Sequence, residues 1–330
     1  MGKHKQQPVE GSPAAAEEPP QKACCDHNSK SASRSSFLTL LMVIGITYVA
    51  LRFVWPSVNS VHFTVTTDSV KFHANETANI KSITPHLHSL SRVLQKREIV
   101  KADISFALCY SMSAEDVDDF LPSSLGHVKD LKLNFGNTNI QDAGTEYIVN
   151  LLPISLEKLD ISLDSIKGSS QLGRIVGTGI SRLSHLKHLR LSFILSDLKD
   201  EGVIGLLEGL SHLKQLQNLT LVLIANELTA DSSEAIKSFL QGMTQLTVLD
   251  LNLFTNSFQA DGAKNIADGI STLTNLKKLD LDFYFNNLTE VGTEHISKAL
   301  VNLQELNSLR VNLDFNYIKN EGAKVFGKAL

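Results

Sequence analysis

Residues 216–245 read LQNLTLVLIANELTADSSEAIKSFLQGMTQ, and residues 246–275 read LTVLDLNLFTNSFQADGAKNIADGISTLTN. Each stretch opens with the pattern L-x-x-L-x-L-x-L and continues with apolar residues at helical spacing. Copies of this stretch follow one another at intervals of 30 residues, and they open at Leu186, Leu216, Leu246, Leu276 and Leu306. A fixed period of this length predicts a repeat architecture in which each copy is one supersecondary unit.

Each copy has two halves with different periods. The first half alternates with period two, so its apolar residues face one side of a short strand. In the copy opened by Leu246 these inward residues, at offsets three, five and seven, are Leu249, Leu251 and Leu253. The second half of that copy has helical spacing, at Ile266, Ile270 and Leu273. Because neither half can bury its apolar face alone, the copies are expected to stack.

Asparagine recurs ten residues after the opening leucine, where the strand turns away. The positions are Asn226, Asn256, Asn286 and Asn316, with Ser196 at this offset in the copy opened by Leu186. An amide side chain can satisfy buried backbone groups that lack a ladder partner. We therefore expect these asparagines to be structural, and we expect Asn256→Ala to cost about 1–3 kcal/mol of stability.

Residues 128–330 resemble the leucine-rich repeat family, and within it the long, helix-containing ribonuclease-inhibitor-like class. The resemblance implies an α/β solenoid with parallel strands on its concave side and helices on its convex side. These copies carry one more apolar residue before the asparagine than the class usually does, which predicts a strand longer by one inward residue. The last copy ends within its helix at Leu330, so we expect a partner or further chain to cover its final apolar face.

The chain before the repeats divides into three segments. Residues 1–36 are rich in Lys, Pro, Ala, Ser and Glu, which predicts a disordered tail. Residues 37–55 read FLTLLMVIGITYVALRFVW, an apolar span that predicts a single transmembrane helix. Residues 57–127 alternate more weakly, which predicts two degenerate copies that form an N-terminal cap. Within them, Thr84-Pro85 predicts the start of a helix.

Two other interpretations of residues 37–55 are a cleaved signal peptide and a buried helix. The leading segment is too long for a signal peptide, and the span is apolar on every side. Basic residues precede the span at Lys22, Lys30 and Arg34, whereas the first one after it is Lys71. Positive charge stays on the cytoplasmic side, which predicts a cytoplasmic tail and a lumenal or extracellular solenoid. In that topology Asn75, in an N-x-T sequon, is the best candidate for glycosylation.

Composition and motifs argue against several function classes. The net charge of -4 gives no electrostatic reason to expect nucleic acid as a partner. No Gly-rich phosphate loop, G-x-S-x-G or H-E-x-x-H occurs in the sequence, and no cysteine or carboxylate stands near the histidine pairs at the spacing of metal ligands. We therefore expect no catalytic residue, no cofactor and no metal.

Residues at offsets four, six and eight alternate away from the core and are expected to line the concave face. Five of them are predicted to form one apolar patch, namely Ile194, Val222, Ile224, Phe254 and Tyr284. Acidic residues accompany its C-terminal part at Asp250, Asp280, Asp282 and Asp314. An exposed apolar patch bordered by charge is typical of an interaction site, so we predict that a protein partner binds here.

The two aromatic residues of this patch share offset eight in consecutive copies. Neighbouring parallel strands lie about 4.8 Å apart, so the rings of Phe254 and Tyr284 are expected to touch. The alternative is that the longer strand curls, so that the offset-eight residues pack under loops.

Two other functions remain open. The chain can be a regulatory activator of an enzyme such as a small GTPase, an alternative that a protruding arginine with a catalytic effect would support. Arg190 and Arg310 share one strand offset, but no specific activating motif accompanies them. The chain can also be a structural membrane protein without a specific ligand.

Overall fold

The computed structural model describes residues 61–74, 80–95, 99–120 and 125–330. They belong to one compact unit that runs from Asn59 to Leu330. The expected disordered tail (1–36), the expected transmembrane helix (37–55) and Asn75 lie outside the described residues. Of the helices that the structure describes, none combines the length and the apolar character needed to cross a bilayer.

A single ten-stranded sheet runs through the described part, with its strands in the order of the sequence. The strands are β1 (Val61–Val65), β2 (Ser69–Ala74), β3 (Lys101–Ser105), β4 (Asp130–Asn134), β5 (Lys158–Ser162), β6 (His188–Ser192), β7 (Asn218–Val222), β8 (Val248–Asn252), β9 (Lys278–Asp282) and β10 (Ser308–Asn312). Strands β2 to β10 are parallel, and from β5 onward equivalent offsets of consecutive copies face each other, as in the pairing of Leu249 with Leu279.

The α-helices of the described residues follow the strands in turn. They are α1 (Ile80–Leu94), α2 (Ala114–Phe120), α3 (Gln141–Leu151), α4 (Leu172–Ile180), α5 (Lys199–Leu210), α6 (Ser233–Gln241), α7 (Gln259–Ile270), α8 (Thr289–Val301) and α9 (Lys319–Ala329). A strand and a helix therefore alternate from β2 to α9. The described part of the chain is an α/β solenoid of the leucine-rich-repeat type.

The core lies between the sheet and the helices. Leu249, Leu251 and Leu253 are at most 2% exposed, so offsets three, five and seven point inward as the alternation predicts. The helical residues Ile266 and Ile270 close the core from the other side. One apolar layer per copy thus continues from each repeat into the next.

The N-terminal part departs from the expectation in two respects. Strand β1 pairs antiparallel with β2 and forms a hairpin, so it is not the strand of a repeat. Helix α1 already includes Ile80, so the prediction that a helix starts at Thr84-Pro85 was wrong. A proline removes one backbone hydrogen bond, and burial of Ile83, Leu87, Leu90 and Leu94 along one face of the helix outweighs that loss.

The strands also end earlier than expected. In the copies of β6 to β10 the strand covers offsets two to six, and the offset-eight residues lie in the turn that follows. Hydrogen bonds between copies nevertheless continue beyond the strand, because the amide of Leu223 donates to the carbonyl of Asn252 at 2.8 Å. The offset-seven residues stay buried, as at Leu223 and Leu253.

Helices α4 and α5 touch through their glycines. A Cβ atom at Gly173 would overlap the carbonyl oxygen of Gly202, and one at Gly209 would overlap the carbonyl group of Gly177. Only glycine permits this approach, because the atoms concerned belong to backbone that cannot rotate away. The two helix backbones are therefore in direct contact.

Candidate functional site

The sheet face is defined here as the surface of the sheet that points away from the helices. Offsets two, four and six of each strand lie on it, and the offset-eight residues border it in the turns. Their turns are joined by hydrogen bonds from Leu195 N to Ile224 O at 3.0 Å, from Ala225 N to Phe254 O at 3.0 Å and from Thr255 N to Tyr284 O at 2.8 Å. These bonds bring the offset-eight residues of consecutive copies into one row.

We call that row the apolar column, and it consists of Ile194, Ile224, Phe254 and Tyr284. All four side chains are partly exposed. Val222, the fifth residue of the predicted patch, lies beside the column on β7 but is only 8% exposed. Val222 is therefore mostly covered and has little surface available for contact with another molecule.

The rings of Phe254 and Tyr284 are in contact, as the register of the repeats predicts. Their centroids lie 4.5 Å apart and their planes differ by 8°. This is a stacked arrangement, and it holds two large apolar surfaces in one orientation. Neither ring belongs to the hydrophobic core, whereas their neighbours Leu253 and Phe283 do.

A third ring, that of Phe315, continues the row but was not predicted from the sequence. It lies 4.9 Å from the ring of Tyr284, tilted by 43°, and the residue is 67% exposed. Phe315 stands at offset nine, where the exposed side chains of Leu195 and Phe285 also occur. The sequence does show large apolar residues at offset nine in three copies, and this recurrence could have identified offset nine as a further exposed apolar position.

The backbone explains why offset nine is exposed. If the alternation of the strand continued, offset nine would face the core. However, the backbone leaves the strand conformation there, because Leu195, Phe285 and Phe315 have φ values of 53°, 55° and 59°. This left-handed conformation turns the chain and directs the side chain outward. Bulky residues rarely adopt it, and its cost is about 1–3 kcal/mol for each residue. The hydrogen-bonded turns of neighbouring copies hold it in place.

Carboxylates lie on the sheet face next to the aromatic part of the column. Asp250 faces Asp280 across β8 and β9, and Asp280 forms an ion pair with Arg310 at 3.5 Å. Asp282 accepts hydrogen bonds from the amide of Tyr284 at 2.9 Å and from the side chain of Asn312 at 3.2 Å. Burial, and then the nearby charge of Asp280, raise the pKa of Asp250 above its usual range.

The opposite half of the sheet face carries paired charges. Asp160 binds both Lys132 at 3.8 Å and Arg190 at 3.3 Å. Burial and the neighbouring Lys158 lower the pKa of His188, so this imidazole is neutral at pH 7. Both arginines at the offset considered for a GTPase activator, Arg190 and Arg310, are thus held by carboxylates of the preceding strand.

The buried asparagines fix the turns that present the column. The side-chain oxygen of Asn256 accepts from the amides of Asn226 and Leu228 at 3.1 and 3.0 Å. Its side-chain nitrogen donates to the carbonyls of Leu223 and Leu253, both at 2.9 Å. Asn226, Asn286 and Asn316 make equivalent bonds between copies. Ser196 donates to the carbonyl of Leu163 at 2.7 Å and so supplies part of the same pattern.

The described residues hold no group of three histidine, cysteine or acidic side chains arranged to bind a metal ion. Burial raises the pKa of the Cys109 thiol to about 11, so this side chain is a protonated core residue at pH 7. The sheet face presents stacked rings, aliphatic side chains and carboxylates.

No protein-family model matches the chain, and a search of curated proteins found no match. A search of solved structures found similarity to the crystal structure of the Rad7 and Elc1 complex in yeast. The sequence identity is 14%, the TM-score is 0.37, and the match covers 74% of this chain and 70% of that chain. A match at this level carries no functional information.

Proposed function

We propose that this chain is a membrane-anchored scaffold of the ribonuclease-inhibitor-like class that binds a protein partner on its sheet face and has no enzymatic activity. The observation that carries the proposal is the stacked pair of Phe254 and Tyr284. The two rings lie outside the core, keep part of their surface exposed and stand beside further exposed apolar residues. Aromatic anchors of this kind contribute a large share of the energy of protein interfaces.

A pair of neighbouring substitutions tests the binding role. Phe283 is fully buried and packs edge-on against Phe258 at 6.3 Å, so Phe283→Ala should cost about 3–5 kcal/mol of stability. Tyr284→Ala should melt close to the parent protein but lose captured partners, with a loss of about 2 kcal/mol or more in affinity if the ring is an anchor. The measurements are thermal melting and quantitative capture of cross-linked partners from cells that express each full-length variant.

The outcomes separate two errors. If Tyr284→Ala melts as early as Phe283→Ala, the assignment of Tyr284 to the surface is wrong. If it melts normally and captures every partner of the parent protein in the same amount, the apolar column is not the binding site and the proposed function fails.

The membrane anchor in this proposal is the apolar span of residues 37–55, supported by its length and composition. The full chain should remain in the membrane pellet after alkaline carbonate washing, whereas a shortened chain that begins at Asn59 should be extracted. Recovery of the full chain in the soluble fraction would exclude the anchor.

The proposed topology places the solenoid on the lumenal or extracellular side, in agreement with the basic residues that precede the span. Asn75 should then carry a glycan, and glycosidase treatment should increase the gel mobility of the parent chain. The Asn75→Gln variant should lack this shift. A parent chain that is insensitive to the enzyme contradicts glycosylation at this position.

A further inference from the structure

Three rings form what we call the aromatic ladder, namely Phe254, Tyr284 and Phe315. The first two are stacked at 4.5 Å and the last two lie 4.9 Å apart, so the ladder spans three consecutive copies. Its outer end is the most accessible, because Phe315 is 67% exposed. The three rings carry no net charge. Whether the ladder prefers a positively or a negatively charged ligand therefore depends on the charged side chains around it.

Those surrounding groups include several carboxylates that form no ion pair with any described residue, beside the Asp280–Arg310 pair. Across the described ranges, Asp250, Asp282 and Asp314 form no ion pair within 4.0 Å, in contrast to Asp160 and Asp280. Asp314 stands at the offset of Tyr284 in the next copy, and it is exposed. Asp282 precedes Tyr284 by two residues, and its carboxylate lies close to the start of that residue because it accepts a hydrogen bond from the Tyr284 amide at 2.9 Å. Asp282 and Asp314 therefore leave negative charge beside the ladder that no ion pair of the described residues neutralises.

A ligand for this surface must combine positive charge with an affinity for aromatic faces. The guanidinium of arginine meets both requirements, because it is planar, stacks on aromatic rings and donates paired hydrogen bonds to a carboxylate from its edge. The ammonium of lysine is a strongly hydrated point charge and uses the rings less well. Phosphate groups of nucleic acids or of lipids would instead meet Asp282 and Asp314 and be repelled.

We propose that the aromatic ladder, together with Asp282 and Asp314, binds an arginine-bearing segment of the protein partner. The inference rests on the proposed function and names the chemistry of the partner at that site. An arginine of the segment lies against Phe315, the exposed outer ring that Tyr284 supports, with its guanidinium edge towards a carboxylate. Apolar side chains of the same segment continue along Ile224 and Ile194, which prolong the column away from the acidic end.

Fluorescence anisotropy with defined peptides tests the proposal on the full chain. The probe is a fluorescein-labelled peptide in which arginine alternates with glycine and leucine, and two matched peptides carry lysine or uncharged citrulline instead. The arginine peptide should bind at least about threefold more tightly than the lysine peptide, and the citrulline peptide should bind most weakly.

Matched variants locate the binding to the ladder. Tyr284→Leu, Phe315→Leu and Asp314→Asn should each weaken the arginine peptide by about threefold to tenfold, as expected for the loss of a cation–ring contact or of one charge. Tyr110→Leu and Glu146→Gln remove an exposed ring and an exposed carboxylate elsewhere in the solenoid, and they should bind like the parent protein. Phe315 and Asp314 are exposed, so their replacement tests binding even if Tyr284→Leu destabilises the fold.

Three results would overturn the inference. The first is that the arginine and lysine peptides bind with equal affinity. The second is that the Phe315→Leu and Asp314→Asn variants bind the arginine peptide as tightly as the parent chain does. The third is that the parent chain does not bind the arginine peptide measurably. Partner capture that still depends on Tyr284 while the peptide fails would preserve the proposed function and reject only the arginine preference. Peptide binding that depends on the ladder, with partner capture unaffected by Tyr284→Ala, would reject the proposed function instead.

Discussion

Asn256→Ala is expected to lower the stability of the solenoid at the turn of the preceding copy, where the amides of Asn226 and Leu228 lie. The asparagine is 7% exposed. Its side chain accepts two hydrogen bonds, from Asn226 N and Leu228 N, and donates to Leu223 O and Leu253 O at 2.9 Å and to Phe254 O at 3.5 Å. Alanine leaves two amide donors buried without a partner, at about 1–3 kcal/mol for each. The expected loss is therefore roughly 2–6 kcal/mol when both amides are counted, compared with about 1–3 kcal/mol expected from the sequence.

Amide hydrogen exchange measured along the chain is the appropriate assay, since repeat proteins can open locally before they unfold globally. In Asn256→Ala the amides of Asn226 and Leu228 should lose protection first. Asn256→Ser should lose less, because a serine hydroxyl can still donate to a carbonyl of the preceding copy, as Ser196 does. Asn307→Ala, at an exposed position, is the control. Unchanged exchange at both amides, with a melting temperature equal to that of the control, would refute the reasoning.

Two further perturbations follow from contacts in the structure. Gly209→Ala places a Cβ atom against the backbone of Gly177 and should lower the free energy of unfolding by about 1–3 kcal/mol. Gly327→Ala is the control, because its Cβ atom meets no atom within 4 Å and the variant should be as stable as the parent or more stable. Denaturant titrations measure both, and equal stability of the two variants would contradict the helix contact. Asp250→Asn should stabilise the protein at pH 7. Because the pKa of Asp250 is raised in the folded state, the folded protein holds this proton more tightly than the unfolded chain, so the stability of the parent falls as pH rises through the interval above the ordinary value of 3.8. The advantage of Asp250→Asn should thus shrink as pH falls through that interval, and an advantage that does not change with pH would contradict it.

The period of the sequence was sufficient to predict the repeating core. The inward positions of each copy recur at fixed offsets, so Leu249, Leu251 and Leu253 could be assigned without coordinates, and the parallel register followed from the stacking of equal units. The contact between Phe254 and Tyr284 followed from the same register. These features depend on spacing alone, which a sequence displays directly.

Features that depend on backbone conformation could not be predicted in this way. The antiparallel pairing of β1 lies outside the repeat, so no period reports it. Phe315 was missed because a left-handed residue reverses the alternation, and the usual marker of that conformation, glycine, is absent from offset nine. Pro85 suggested the start of a helix, but the apolar face of α1 continues on both sides of it.

The glycine contact between α4 and α5 has a consequence for the form of the sheet face. Stacked copies bend because neighbouring helices, commonly 8–10 Å apart, are spaced more widely than strands about 4.8 Å apart. Helices whose backbones touch lie at the short end of that range, so the mismatch that drives the bend falls from roughly 5 Å to roughly 3 Å. The sheet is therefore expected to bend less between β5 and β6 than between strands whose helices are more widely spaced. At this place the offset-eight residues change from Asp164 to Ile194, so the border of the sheet face passes from polar to apolar where the bending is expected to be smallest.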